Sequence, residues 1–417
     1  MIDPVISQLK STASQTKSRI EKTLHSYRKS SRSKGVRFAV AESIGMLNPE
    51  PWDILTQNSS IFLKRKYLQL LEKNAPENLH PYYAILYWQD QPVAAVVAQS
   101  VDISAALLPK PFRARTTALQ AAERSLKQIK ERVLVCGNLL SWGAFHGVAF
   151  LPGIDPATLW AGVEEVFYRI QSAGDPSSKP GVILIKDLPD GYPLDALAKL
   201  NYRPFNAGSN MVLSLDPSWL DFNGYLQALR SNYRSPALKV RKDCENAGIS
   251  VESLAAPEVA EHADEIFELY HQVHDAQMLR LVTIQKSYIP ALAAAFGENF
   301  RTQVAWNRER RMVGFVTCMK DANGTIGYYI GFDKFTAADA PIYLRLLQCV
   351  IEDAIRMRAS WINLGRTALQ PKAQLGAKPL EFQCLVRHRM RAVNVVLQSL
   401  LHVLPEPEHP PVRNPFK

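Results

Sequence analysis

The chain has 417 residues, of which 47% are hydrophobic, 21% charged and 9% aromatic. That length and balance suit two ordinary folded domains and exclude a disordered chain. No apolar run reaches about 18 residues, which excludes a membrane-spanning helix. The N-terminus lacks an apolar signal core, so a cytoplasmic place is expected. The formal net charge of +10 favours nucleic acid, anionic lipid or a phosphorylated cofactor as partner, without choosing among them.

Residues 1–35 are basic, polar and serine-rich, with a faint helical stripe. They are expected to be a flexible arm, whose charge would give at most a weak membrane-surface or RNA contact. A strand is predicted over Val36–Val40, then a helix over Leu63–Lys73. Tyr82–Trp88 and Val93–Ser100 form a hairpin. A helix is predicted within 105–129, then a strand over Arg132–Leu139, a glycine-rich loop over Ser141–Phe150 and a helix over Asp155–Ser172, with Pro156 in its first turn. Gly181–Lys186, a short helix Asp195–Leu200 and the strand Asn210–Leu215 complete the first half.

The second half is predicted to open with a helix over Phe222–Ala247, interrupted near Pro236. Helices follow over Glu258–Met278 and Gln285–Phe296. Arg301–Asn307 and Met312–Met319 make a second hairpin. The last stretch reads strand (Thr325–Phe332), polar loop, amphipathic helix (Ile342–Ala359), strand (Trp361–Leu364), basic loop, strand (Phe382–Val386). The five cysteines are Cys136, Cys244, Cys318, Cys349 and Cys384. They have no C-x-x-C spacing and read as reduced, buried thiols. His271 and His274 stand i, i+3, but no third ligand is near, so no metal is expected.

The segment Tyr83–Val96 echoes Gln303–Val316 in pattern, and each hairpin precedes strand, helix and strand. Self-similarity over so long a period indicates duplicated domains. Mixed α/β architecture with tandem, duplicated units is therefore the expected fold class. The boundaries fall at 36–216 and 217–400, and a proline-rich tail covers 401–417.

A strand, a crossover helix and a strand make a parallel pair with a crevice at the strand ends. In the second half that crevice would be lined by Arg366, Lys372 and Lys378, which suits an anionic, phosphate-bearing ligand. The order of elements, with Gly365 and Arg366 after the strand and Lys372 and Gly376 soon after, resembles the GNAT superfamily. More narrowly it resembles the two-domain FemAB-like, peptidoglycan-bridge-type N-acyltransferases. The resemblance implies tandem GNAT-like domains; the first is expected to be degenerate and to shape the acceptor side, the second to be active. It also implies that the strands Thr325–Phe332 and Trp361–Leu364 splay apart, with the donor's pantetheine arm between them and its carbonyl bonded to a free backbone N–H. The usual GNAT pyrophosphate loop, Q/R-x-x-G-x-G/A, is missing; Phe335–Pro341 occupies its place.

Acyl transfer to an amine needs a polarised carbonyl, a deprotonated amine and a stabilised leaving group. The catalytic candidates are Lys372 as electrostatic stabiliser, Tyr328 as general acid and Asp333 as base. Tyr328 and Tyr329 should alternate across their strand, so that one faces the crevice. Arg366 is the leading donor contact, or else an ion pair with an acid such as Asp333. Asn363 and Thr367 are candidates for orienting substrate. Arg230 and Arg234, i and i+4 on a helix, form with Lys239 a candidate phosphate grip. His146, in the loop Trp142–Gly147, is a candidate substrate contact.

Three readings fit these residues. One is an N-acyltransferase using acyl-CoA, acetyl-CoA or an acyl-carrier protein as donor and a small-molecule amine as acceptor. Another is an aminoacyl-tRNA-dependent ligase acting on a cell-wall precursor. The last is a non-catalytic protein binding an anionic ligand or membrane surface. Oligomeric state is not legible.

Overall fold

The computed structural model describes residues 35–104, 130–173, 179–276, 281–401 and 413–417. The expected helix within 105–129 and nearly all of the N-terminal arm lie outside the described residues, as does much of the C-terminal tail.

Thirteen strands build one mixed sheet: β1 (Val36–Ala41), β2 (Leu79–Trp88), β3 (Gln91–Ser104), β4 (Lys130–Cys136), β5 (Val148–Phe150), β6 (Val182–Pro189), β7 (Arg203–Ser214), β8 (Ser250–Leu254), β9 (Phe300–Trp306), β10 (Met312–Asp321), β11 (Gly324–Phe332), β12 (Trp361–Asn363) and β13 (Lys378–His388). Their order is β1-β2-β3-β4-β6-β13-β7-β12-β11-β10-β9-β8, with β5 beside β3. Each half runs through antiparallel neighbours to one parallel pair, β4 with β6 and β11 with β12. The helices Pro156–Ser172 and Ile342–Arg356 lie in the respective crossovers.

The halves then trade their last strands. β7 leaves β6 and pairs with β12, β13 leaves β12 and pairs with β6, and β7 and β13 pair with each other at the seam. The sheet therefore has the same strand sequence read outward from either side of that seam.

β10 is buried along almost all its length because it is covered on both faces, which explains its near-continuous apolar run. Phe315 and Met319 face Ile266 and Leu269 of the helix Ala263–His274. Val313, Val316 and Cys318 face the helix Ile342–Arg356. The first of these cores is common to both halves, joining Trp52, Tyr67 and Tyr83 to Tyr288, Phe315 and Tyr328.

Some elements depart from expectation. The helical break lies at Leu229–Arg230, not at Pro236, which stands inside the helix Ser231–Asn246. The returning C-terminal segment causes this: Leu229 bridges to Phe416, and the Arg230 N–H donates to the Pro415 carbonyl at 2.8 Å. The expected helix Glu258–Met278 is two helices, Ala256–Glu261 and Ala263–His274, with His262 between them. β8 was not foreseen. It is a largely exposed edge strand, so its sequence carries no buried alternation to read.

The two parallel pairs differ in what lies at their ends. In the first half the chain itself fills the space. Lys186 Nζ donates to the Ser141 carbonyl at 2.6 Å and to the Asp187 carboxylate at 2.5 Å. The Gly143 N–H donates to Asp187 Oδ2 at 3.2 Å, and the Phe145 N–H to the Asp187 carbonyl at 3.4 Å. The filling segment returns to the sheet at Gly147, whose carbonyl accepts from the Val97 N–H at 2.7 Å.

A β-carbon at Gly147 would lie 2.5 Å from the Gly137 nitrogen and 2.7 Å from the Cys136 carbonyl carbon. Both are backbone atoms with no room to move. Gly147→Ala is accordingly expected to cost roughly 1–3 kcal/mol in denaturant unfolding. Gly45→Ala, whose new carbon would meet only the Ser43 hydroxyl at 3.7 Å, should change stability by less than about 0.5 kcal/mol. Equal effects at the two positions would contradict this packing.

Candidate active site

In the second half the crevice is open. β11 and β12 pair only over Thr325–Ile326 with Ile362–Asn363. Beyond that they diverge around a cavity of about 340 Å³. Among the described residues, the edge that β11 turns toward β12 has no strand opposite it from Gly327 onward. Val316, Ile330, Leu347 and Val350 supply much of the apolar wall, while Lys186, Arg366, Thr367 and Lys372 supply polar groups. Leu139, Leu140 and Trp142 come from the loop that fills the first crevice, so both halves build the site.

Tyr328 and Tyr329 both line the cavity, against the expected alternation. The β10–β11 register runs from Cys318 opposite Gly327 to Val316 opposite Ile330. Thr317 therefore faces both tyrosines across a bulge, which resets the side-chain period. Their ring centroids stand 4.5 Å apart. The Tyr328 hydroxyl meets the Tyr288 hydroxyl at 2.8 Å, which meets that of Tyr67 at 2.8 Å, and Asn138 Nδ2 donates to Tyr67 at 2.8 Å. Burial pushes Tyr328 well above the usual phenol range. It stays a neutral hydroxyl that can donate a hydrogen bond.

Lys372 sits on the short helix Leu369–Gln374 and is 3% exposed. No hydrogen bond or ion pair to its ammonium is found among the described residues. Burial pushes its pKa down to about 7. Gly365, at φ +80°, keeps the adjoining space clear: a β-carbon there would stand 3.0 Å from Trp142 Nε1 and 3.8 Å from Lys372 Nζ. Trp142 Nε1 is itself buried without a hydrogen-bond partner. Thr367 lines the cavity beside them.

Arg366 also lines the cavity, yet its guanidinium is already engaged. It donates to Asp187 Oδ1 at 2.6 Å and to Asn210 Oδ1 at 2.8 Å. Its acid partner is therefore Asp187, not Asp333. Asp187 holds Lys186 through its other oxygen. Burial alone would raise the Asp187 carboxyl, but the Lys186 and Arg366 charges outweigh it and hold the group well below the usual range.

The remaining expected site residues lie elsewhere or serve as supports. Asp333 is not placed as a base at the cavity. It caps the helix Lys334–Asp339, accepting from the Phe335 and Thr336 N–H groups and from Thr336 Oγ1. Asn363 binds the halves together: Nδ2 donates to the Trp142 carbonyl at 3.1 Å and Oδ1 accepts from the Gly365 N–H at 2.9 Å. His146 is buried beneath the loop, paired with Ser141 Oγ at 2.8 Å and packed on Phe62. Burial, with the Lys186 charge, pushes its pKa down to about 3. Arg230, Arg234 and Lys239 are on or beside the helix Ser231–Asn246, away from the cavity. Lys239 there pairs with Asp243 at 2.6 Å.

The sequence reading missed Trp142, Lys186, Asp187 and Tyr288. A charged pair, Lys186–Asp187, at the end of an apolar strand was the available signal, since Gly365–Arg366 holds the matching place in the other half. His274 lines the cavity as well, with Nε2 3.1 Å from Thr283 Oγ1. No His/Cys/Asp/Glu cluster able to hold a metal occurs among the described residues. No helix among them is long and apolar enough to cross a membrane.

Lys372 gives a pH test of this site. The unfolded chain keeps the lysine proton up to about pH 10.4, while the folded protein releases it near 7. Between those values the unfolded state binds more protons, so stability rises with pH through that window. The cost of burying the charge is full below about pH 7 and vanishes near pH 10. Lys372→Met should therefore raise the unfolding free energy by about 1–4 kcal/mol at pH 7, with a gain that shrinks toward pH 10. Unfolding curves at both pH values check this; a pH-independent gain, or a loss, would contradict it.

No protein-family model and no curated protein sequence matches the chain. Among solved structures, a tandem GNAT protein from the clavulanic acid biosynthesis pathway, determined without AcCoA, superposes with a TM-score of 0.51 at 11% identity, over 85% of this chain and 98% of that one. FemX superposes with a TM-score of 0.50 at 10% identity, over 86% of this chain and all of that one, 100%. At such identities the likeness is one of fold. Taken with the mixed sheet, the duplicated order and the splayed parallel pair, it shows that this chain has the tandem GNAT fold.

Proposed function

We propose that the protein is an N-acyltransferase that seats an acyl group between β11 and β12 and passes it to an amine. The observation that carries this is the largely apolar crevice where β11 and β12 part, with Tyr328 in its lining and, among the described residues, no strand opposite β11 beyond the short pairing. Its polar end is donor-rich, which favours a donor or substrate with anionic groups. A thioester donor, acyl-CoA or acyl-carrier protein, would supply an activated carbonyl and a thiolate leaving group.

The amine nitrogen attacks the carbonyl carbon, and the carbonyl electron pair moves onto oxygen. Collapse of that intermediate forms the amide and breaks the carbon–sulfur bond, and the proton lost by the amine nitrogen goes to the departing thiolate, which leaves as the thiol. Tyr328, kept neutral by burial, would donate a hydrogen bond to the developing oxygen or to the leaving group. The Asp187 bridge holds Lys186 and Arg366 in place at the polar end. The filled first-half crevice supports a positioning role for that half, with the loop carrying Trp142 forming one wall.

The experiment is thermal unfolding with acetyl-CoA, long-chain acyl-CoA, free CoA and aminoacyl-tRNA. A ligand at a hundred times its dissociation constant stabilises by about 2.7 kcal/mol. A larger shift with an acyl-CoA than with CoA is the expected result, together with amide formation on an amine panel and its loss in Tyr328→Phe. A shift with aminoacyl-tRNA alone would move the donor to tRNA. No shift and no amide product with any donor, carrier-bound acyl groups included, would overturn the reading.

A further inference from the structure

Three cations stand at the polar end of the cavity, Lys186, Arg366 and Lys372. Asp187 spends one carboxylate oxygen on Lys186 and the other on Arg366. Lys372 is left alone, 3% exposed, with no counter-charge among the described residues. Beside it the Trp142 indole N–H is buried and unpartnered. Both nitrogens border the same face of Gly365, where even a methyl group would crowd the indole nitrogen at 3.0 Å. Two unsatisfied donors, one of them charged, at the end of an apolar cavity ask for an acceptor of unit negative charge. Burying such donors without one is costly, and the described residues offer none.

We propose that Lys372 and Trp142 form a carboxylate-binding site, so that the molecule entering this cavity carries a carboxylate on an apolar body. The ammonium takes one carboxylate oxygen and the indole N–H the other. The apolar part lies against Val316, Ile330, Leu347 and Val350. This deepens the acyl-transfer reading and rests on it for the identity of the site. It gives Lys372 a ground-state partner, leaving the reacting carbonyl to Tyr328. Either substrate can bring such a group: an acceptor that is an apolar amino acid, or an acyl chain ending in an acid.

The test is calorimetric titration of the full chain with two matched pairs, octanoate against octanamide and L-leucine against L-leucinamide. In at least one pair the acid should bind tenfold or more tightly than its amide. Preference in the leucine pair assigns the carboxylate to the acceptor; preference in the octanoate pair assigns it to the acyl side. Lys372→Met should abolish the preference, Lys372→Arg should retain part of it, and Trp142→Phe, which keeps a ring but removes the N–H, should cut it several-fold. Unfolding curves of each variant confirm that it is folded.

Acid and amide binding alike, neither binding, or a preference that survives Lys372→Met would overturn the proposal. These titrations need no turnover. A failure of acyl transfer would leave a measured carboxylate preference standing, and transfer without such preference would sink this inference alone.

Discussion

The exchange of β7 and β13 is the constraint on which the rest of this molecule depends. Because β13 runs between β6 and β7, and β7 runs between β13 and β12, the ends of β6 and β12 are brought to one place. There the Asp187 carboxylate of the first half meets the Arg366 guanidinium of the second at 2.6 Å. A buried carboxylate shared between two cations is stable only when both stay in position. The backbone is committed to the same purpose, with Asp187 held at φ +58°, a conformation a non-glycine residue adopts at a cost. Strand exchange, ion bridge and strained residue thus fix the two halves against each other where the cavity opens.

Duplication did not leave two equal crevices. In the first half the loop after β4 folds back across the strand ends, and its backbone groups are satisfied by Lys186 and Asp187. In the second half the chain turns at Gly365 into a short helix, and among the described residues no segment crosses the gap as that loop crosses the first. The loop that closes the first crevice also delivers Trp142 to the wall of the second, and Asn363 locks it there through the Trp142 carbonyl. One half has become part of the wall of the other's cavity. The tyrosine chain has the same character, since Tyr67 and Asn138 come from the first half and Tyr288 and Tyr328 from the second.

Much of the fold was legible because its signals are local. The paired hairpins, the long amphipathic helix and the strand with Gly365 and Arg366 follow from periodicity and turn residues, and the duplication followed from comparing them. The edge strand β8 was not legible because an exposed strand has no buried face. The break at Leu229–Arg230 is made by a C-terminal segment nearly two hundred residues away in sequence, as Arg230 bonding to Pro415 shows. The bulge at Thr317 was equally hidden, and with it the fact that both Tyr328 and Tyr329 face the cavity. Of the site, Arg366, Thr367 and Lys372 were readable as charged or hydroxyl groups in the segment after a strand, and Tyr328 as a hydroxyl within one. Asp333 misled because a carboxylate after a strand serves a helix cap as readily as a base. Trp142 and Asp187 were missed because their role exists only after the halves exchange strands.

The account's central claim is that an acyl group lies between β11 and β12. A crystal structure of the protein with an S-alkyl pantetheine, an unreactive thioether in place of the thioester, tests it most directly, because CoA and carrier-protein donors share that arm. The account predicts density for the alkyl chain in the cavity, with the Tyr328 hydroxyl and the Gly365 backbone beside the sulfur. Density confined to the outer surface, or an alkyl chain seated in the first half with the loop through Trp142 displaced, would contradict it.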